Sequence, residues 1–315
     1  MKKVVTITLN PALDLTGSLY ALNQGGVSLV DQSSFHAAGK GVNVAQVLRD
    51  LGAEVAVTGF LGRDNQEMFC QLFEKIGVKD HFVRVDGATR INVKLVESND
   101  KVSDVNFPGV SVSSSDKQKF GQKLKELSQE YDVFVLAGSL PVGVSPQECQ
   151  NWISMLQGSG KHVLFDSSRE ALKTGLSASP WLIKPNEEEL SYLVDKKIES
   201  IDEYLDAAVY LDQFAIPNLV ISLGAEGVLW KKEQRWLHAK PPKVDIVSTV
   251  GAGDTLVAGM CWAHLNQWDD KDALAFSAAL SALAVSQVGV GVPDIEKVSS
   301  LQQTIRITSL TEAID

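Results

Sequence analysis

Short apolar runs alternate along the second half of the chain with longer segments of helical periodicity. Each run ends at a cluster of polar residues or glycines. The four runs, each with the cluster that follows it, are 132–136 with 137–141, 162–165 with 166–169, 181–183 with 184–190, and 218–221 with 222–227. Apolar strands that alternate with helices are typical of a mostly parallel sheet covered on both faces. We therefore expect an α/β fold whose polar clusters meet along the carboxyl edge of the sheet.

A further strand is predicted near the amino terminus. Residues 4–9 are rich in β-branched residues and stop at Asn10-Pro11. Asp14 follows shortly afterwards, close to the carboxyl end of this strand. It is either a turn residue or a ligand-binding residue at the same edge of the sheet as the polar clusters.

Residues 89–96 alternate between polar and apolar positions. In a strand this alternation places Arg90, Asn92 and Lys94 on one face. Two cations and an amide on one face suit a flap over an anionic ligand. The same pattern also fits an ordinary half-exposed strand with a solvated face.

The sequence Gly251-Ala252-Gly253-Asp254 leads into a segment with apolar residues at helical spacing. Backbone N–H groups at such a helix start bind anions, most often phosphate. A carboxylate at this place would repel a phosphate unless it accepts a proton from a group that attacks the phosphate. The turn therefore predicts a phosphoryl-transfer site with Asp254 as the base. The alternative is a structural turn in which Asp254 caps the helix.

A second glycine-rich turn, Ala38-Gly39-Lys40-Gly41, also leads into a helix, which we expect to end near Leu51. It lacks the glycine spacing and the Ser or Thr of a P-loop. A lysine here can hold a phosphate or neutralise a transferring phosphoryl group, or it can simply be solvated. Because no Gly-x-Gly-x-x-Gly follows the first strand, a dinucleotide-binding fold is disfavoured.

Composition narrows the possibilities further. The 315 residues suffice for one large α/β domain, and the net charge of −10 argues against nucleic acid as a main partner. The three cysteines and five histidines lack metal-ligand spacing. No apolar stretch approaches the ~20 residues that span a membrane, and the short run after Lys2-Lys3 lacks a cleavage site. We expect a soluble cytoplasmic protein.

Taken together, these motifs resemble the PfkB (ribokinase-like) family of sugar kinases over nearly the whole chain. The segments that carry the resemblance are 8–14, 36–43, 89–95, 165–172, 184–186, 222–227 and 251–254. The resemblance implies a single three-layer αβα kinase domain over 1–315, with a small β-sheet lid from about 12–35 and 87–107. In this family the lid closes over the sugar and forms the contact of a homodimer.

The resemblance also implies roles for individual residues. Sugar phosphate would be bound by Asp14, Gly39, Lys40, Asn43, Arg90, Asn92 and Ser139. ATP would be bound by Lys184, Asn186, Glu189, Ser222, Leu223, Gly224, Ala225, Glu226, Gly227 and Gly253. Asn186 and Glu189 would also hold Mg²⁺, through water. Gly251, Ala252 and Gly253 would form the anion hole beside the base Asp254.

The activity implied is ATP-dependent phosphorylation of fructose 1-phosphate to fructose 1,6-bisphosphate. Phosphorylation of tagatose 6-phosphate or fructose 6-phosphate uses the same motifs and remains an alternative. A non-catalytic sugar-phosphate sensor on the same fold is a further alternative, although a sensor would not need Asp254. The chain departs from many family members at Ala38, where they have Gly, and at Val142, where they have Pro.

Overall fold

A large, mostly parallel sheet forms the centre of the computed structural model, which describes residues 2–99 and 101–310. Met1, Asp100 in the second predicted lid segment, and residues 311–315 of the predicted domain lie outside the described residues. In chain order the strands are β1 (Lys3–Thr8), β2 (Ala12–Leu19), β3 (Gln32–Ala38), β4 (Glu54–Gly62), β5 (Lys79–Asp80), β6 (Val83–Val85), β7 (Ile91–Glu97), β8 (Val102–Val105), β9 (Val133–Ala137), β10 (His162–Asp166), β11 (Leu182–Ile183), β12 (Asn218–Ser222), β13 (Val228–Lys232), β14 (Arg235–Lys240) and β15 (Arg306–Ser309).

Helices connect most of these strands. In chain order they are α1 (Lys40–Asp50), α2 (Glu67–Ile76), α3 (Ser114–Leu127), α4 (Pro146–Gly158), α5 (Arg169–Gly175), α6 (Glu187–Val194), α7 (Ile201–Leu211), α8 (Ala252–Leu265), α9 (Asp270–Val285) and α10 (Ile295–Thr304). Local sequence explains several of their starts. For example, α4 begins with Pro146 in its first turn, and Ser145 and Glu148 form a capping box there.

The main sheet has the strand order β15-β14-β13-β12-β11-β10-β9-β1-β4-β5, with β6 beside β4. Strands from β12 to β5 run parallel. The four apolar runs predicted in the second half are β9 to β12, each within one residue at either end. At one edge the pairs β12–β13, β13–β14 and β14–β15 are antiparallel, an arrangement that the sequence pattern did not predict.

Helices cover both faces of this sheet, as predicted. Phe134 and Leu136 of β9 face a core that includes Phe120 of α3. The alternate residues Val133 and Val135 face a second core that includes Leu256 of α8. Both faces of the strand are therefore buried, which explains its continuous apolar sequence.

A separate sheet of four strands, in the order β3-β2-β7-β8, forms the small second layer that the family resemblance implies. Asp14 pairs with His36 on one side and with Asn92 on the other. Because neighbouring residues across a sheet point to the same face, Asp14 and Asn92 share a face. Arg90 lies just before the start of β7. Among the described residues, no helix is long and apolar enough to cross a membrane.

Candidate active site

Asp254 lies in the first turn of α8 and is almost completely buried. Gly251 precedes the helix with φ of 80°, a left-handed conformation that glycine adopts without strain. The Asp254 carboxylate makes no capping hydrogen bond, so the capping role considered for it is wrong. Instead, Asn43 of α1 donates a hydrogen bond from Nδ2 to Asp254 Oδ2 at 2.7 Å. Two glycine-rich turns that lie far apart in the sequence therefore meet at this carboxylate.

The surroundings of Asp254 change its acidity. Burial raises its pKa to about 6, although Lys40 and the hydrogen bond from Asn43 favour the charged form. A carboxylate with this pKa is ionised at neutral pH and is a stronger base than an exposed aspartate. Its protonation properties suit a general base.

A buried ion network lies beside Asp254. Asp166, at the end of β10, is only 1% exposed and lies between two lysines. Its oxygens are 3.3 Å from Lys40 Nζ and 3.5 Å from Lys184 Nζ. Burial alone would lower the pKa of Lys40, but Asp166, Asp254 and Glu189 raise it overall, so the lysine stays charged.

Lys184 places a second cation near the start of α8. Its side chain is only 4% exposed, and a Cβ added to Gly253 would lie 3.5 Å from its Nζ. The ammonium group and the helix start therefore border the same space. The role of Asp166 was not predicted. The sequence placed it in a polar cluster after a strand, but it did not reveal that two lysines distant in sequence lie beside it.

A cavity of about 340 Å³ opens beside this network. Its lining consists of Asn10, Gly39, Lys40, Arg90, Asn106, Gly138, Ser139, Ser167 and Ser168. Four predicted substrate-binding residues are in this set: Gly39, Lys40, Arg90 and Ser139. Gly39 has φ of 139°, and a Cβ there would lie 2.8 Å from Thr8, so this turn requires glycine next to β1.

Two further predicted substrate residues belong to the small sheet. Asn92 Nδ2 donates to Asp14 Oδ1 at 3.2 Å. Burial raises the pKa of Asp14, while the bond from Asn92 and the charges of His36, Lys94 and Arg90 lower it. Asn92 Oδ1 has no hydrogen-bond partner among the described residues, so an acceptor remains for a ligand hydroxyl.

The residues predicted to bind nucleotide lie on two adjoining segments. Ser222 at the end of β12 donates its backbone N–H to Pro185 O at 3.1 Å, and Asn186 forms an isolated bridge with Ser222. The turn 224–226 is a short 3₁₀ helix, closed by Gly227 with φ of 98°. Leu223 is buried, and its backbone N–H and C=O are both bonded within the turn, to Gly227 O at 2.8 Å and from Glu226 N at 2.9 Å.

Asn186 and Glu189 form the capping box of α6. Asn186 Oδ1 accepts from Glu189 N at 2.8 Å, and Glu189 Oε2 accepts from Asn186 N at 3.0 Å. Among the described residues, no group of three or more His, Cys, Asp or Glu side chains could hold a metal. Amide and carboxylate oxygens fit Mg²⁺ better than softer metals, because Mg²⁺ keeps several waters and binds mainly to substrate phosphates.

Comparisons with known proteins agree with this geometry. Residues 1–297 match the model of the pfkB family carbohydrate kinases. The chain is 62% identical over 309 residues to the 1-phosphofructokinase of Vibrio cholerae serotype O1, covering 98% of each protein. It is 44% identical over 304 residues to the 1-phosphofructokinase of Escherichia coli K12, covering 96% of this chain and 97% of that one.

A solved structure supports the fold. Phosphofructokinase-2 from Escherichia coli, crystallised in complex with potassium, superposes with a TM-score of 0.89 at 27% identity. The superposition covers 96% of this chain and 99% of the other. The ribokinase-like architecture expected from the sequence is therefore confirmed.

Proposed function

The chain belongs to the pfkB family of carbohydrate kinases, and we propose that it phosphorylates fructose 1-phosphate with ATP, giving fructose 1,6-bisphosphate in the cytoplasm. The structural observation that supports the catalytic role is the buried Asp254 in the first turn of α8, held by a hydrogen bond from Asn43. The choice of substrate rests on similarity over the full length to enzymes named 1-phosphofructokinase.

In the proposed reaction, Asp254 accepts the proton of the sugar hydroxyl that attacks the terminal phosphorus of ATP. Asn43 donates to Asp254 Oδ2, and we propose that Oδ1 accepts the proton of the hydroxyl. The hydrogen bond also fixes the orientation of the carboxylate before substrate arrives. Such a base typically contributes ~10²–10⁴ to the rate.

Phosphoryl transfer depends mainly on alignment and on neutralising charge at the equatorial oxygens. The N–H groups of Ala252 and Gly253, at the start of α8, would donate to these oxygens, with Ala252 giving up a long bond of 3.4 Å to Thr249 O. The buried Lys184 and the half-buried Lys40 add positive charge beside Asp166. One preorganised donor of this kind is worth ~10²–10³ in kcat.

Mg²⁺, when bound with ATP, supplies neutralising charge at the phosphate oxygens. Asn186 and Glu189 are the side chains proposed to hold it, through water. The backbone of 222–227, which adjoins Asn186, is proposed to border the rest of the nucleotide. These assignments agree with the hard oxygen donors that the two side chains present.

The acceptor sugar would lie in the cavity between the small sheet and the main sheet. Asp14, Asn92, Asn43 and the Gly39 turn are proposed to bind its hydroxyl groups. Arg90 and Ser139, which line the same cavity, are proposed to bind the phosphate already on the substrate.

We further propose that the small sheet is a lid and forms the interface of a homodimer. Phe35, Leu15, Val93 and Val105 are successive partners across its four strands, so they form one apolar row. This row lies on the face opposite Asp14, and Phe35 and Val105 are 42% and 48% exposed. A second copy of the lid would cover it. Closing the lid over the cavity would exclude water and so limit ATP hydrolysis.

An ADP-release assay with fructose 1-phosphate, fructose 6-phosphate and tagatose 6-phosphate in parallel tests the proposal. We expect kcat/KM for fructose 1-phosphate to exceed the other two values by about tenfold or more, a difference of ~1.4 kcal/mol in transition-state binding. A preference for either 6-phosphate would identify a sister activity. Binding of sugar phosphate without turnover of any of the three would identify a sensor.

A further inference from the structure

Asn10 is a buried residue at the cavity to which the proposed reaction assigns no role. It is 7% exposed and belongs to the cavity lining. Its side-chain amide donates to Ser139 Oγ at 3.1 Å and to Leu140 O at 3.2 Å. Its backbone oxygen accepts from Arg90 Nη2 at 3.0 Å. One residue therefore contacts both groups that are proposed to bind the substrate's existing phosphate.

The other hydrogen bonds of Arg90 end on neutral groups, one of which is the Ser139 hydroxyl, whose Oγ lies 3.5 Å from Arg90 Nη2. Nε donates to Pro11 O at 3.3 Å, and Nη1 donates to Phe107 O at 3.4 Å. These acceptors fix the guanidinium plane without cancelling its charge, so the cation remains available to an anionic ligand. The backbone oxygens of Asn10 and Pro11 thus hold the Arg90 side chain in place.

The segment after β8 encloses the Asn10 side chain. A Cβ added to Gly109 would lie 1.9 Å from Asn10 Oδ1. Gly109 is not in the left-handed region, so close contact, and not backbone conformation, excludes a side chain there. Asn106 of the same segment lines the cavity, and Phe107 accepts from Arg90. The contact between Asn10 and Gly109 therefore seats this segment against Arg90.

We infer that Asn10 is a positioning residue for sugar-phosphate binding, setting Ser139, Arg90 and the 106–109 segment at the spacing that a phosphate monoester requires. The inference rests on the proposed function, because it presupposes a phosphorylated acceptor in this cavity. The contacts of Asn10 lie at the Arg90 end of the cavity. Its loss therefore weakens binding of the sugar phosphate and leaves ATP binding and the chemical step nearly intact.

Steady-state kinetics of three variants test this role. Asn10→Ala removes two hydrogen-bond donors and should raise KM for the sugar phosphate about tenfold, with kcat within about threefold and KM for ATP unchanged. Gly109→Ala should also raise KM for the sugar phosphate, because its methyl group displaces the Asn10 amide. KM for the sugar phosphate in the double variant should not exceed the value in Asn10→Ala alone, since the shorter alanine side chain leaves room for the methyl group.

Gly158→Ala is the matched control, because an added Cβ there meets nothing within 4 Å. Three results would overturn the inference: an unchanged sugar-phosphate KM in Asn10→Ala, an equal rise in KM for ATP, or effects that multiply in the double variant. If Asn10→Ala does not fold, Gly109→Ala alone tests the inference, and the expected result is again a rise in KM for the sugar phosphate.

All variants are measured with whichever of the three sugar phosphates the wild-type enzyme turns over. A wrong substrate assignment would appear already in the wild type. Failure of the proposed function and failure of the Asn10 inference can therefore be told apart.

Discussion

At the scale of single residues, the account depends on how burial tunes Asp254. The sequence placed a carboxylate at an anion-binding turn, and its environment in the fold explains why the two are compatible. Lys40 and Lys184 lie near Asp254, and each forms an ion pair with Asp166. A negative charge on the base is therefore balanced before the phosphoryl group arrives.

The raised pKa of Asp254 predicts how the rate depends on pH. Below about pH 6 the carboxylate binds a proton and cannot accept another, so kcat/KM should fall about tenfold per pH unit. Substrate phosphates also titrate near pH 6, and the profile must therefore be compared with that of Asp254→Asn. The part of the slope that comes from Asp254 should vanish in the variant. An identical slope in both proteins would assign the titration to substrate.

Arg90→Ala tests the cation proposed for the existing phosphate. Loss of a charge-assisted hydrogen bond should raise KM for the sugar phosphate by roughly 10–100-fold, while KM for ATP changes little. Arg63→Ala, at a surface arginine paired with Asp86, provides the control and should leave both constants unchanged. Equal effects on both substrates would place Arg90 outside the sugar-phosphate site.

At the scale of elements, α8 is held in place by close packing against α9. Within α8, Gly259 faces Ser277 of α9, and an added Cβ would lie 2.7 Å from the Ser277 Cα. Backbone atoms cannot yield as a side-chain tip can, so the two helices must separate to admit a methyl group. The position of Asp254 relative to α1 therefore depends on a small residue about one and a half turns away.

Gly259→Ala should accordingly lower the free energy of unfolding by about 1–3 kcal/mol, as overpacking does in well-packed cores. Gly121→Ala is the matched control, because it also lies within a helix but meets only Trp152 Nε1 at 3.8 Å. That substitution should raise stability by about 0.5–1 kcal/mol. Urea denaturation measures both values, and equal effects would argue against close packing at Gly259.

The predictability of elements followed their burial. Strands β9 to β12 were predicted within one residue because both of their faces are buried, which makes each run continuously apolar. Strand β15 of the antiparallel edge was missed, since it is mostly exposed and carries little hydrophobic signal. Asp166 and Asn10 were missed as functional residues because their partners are remote in sequence and only the fold brings them together.

At the scale of the whole molecule, the exposed apolar row of the small sheet predicts a dimer. Light scattering after size-exclusion chromatography should give twice the chain mass of 34.1 kDa. Phe35→Asp should reduce the mass to that of one chain, because a charge cannot be buried unpaired in an apolar interface. Val209→Asp, at an exposed apolar residue of α7, should remain dimeric. A monomeric wild type would contradict the proposed interface.

The most direct test of the central claim is a single-turnover measurement of phosphoryl transfer from ATP to fructose 1-phosphate. Rapid quenching and quantification of fructose 1,6-bisphosphate would compare the wild type with Asp254→Asn, using Asp206→Asn at an exposed position as the control. The account predicts that Asp254→Asn transfers phosphate about 10³-fold more slowly, with little change in binding of either substrate. A transfer rate in Asp254→Asn within about tenfold of the wild type would contradict the role of Asp254 as the base.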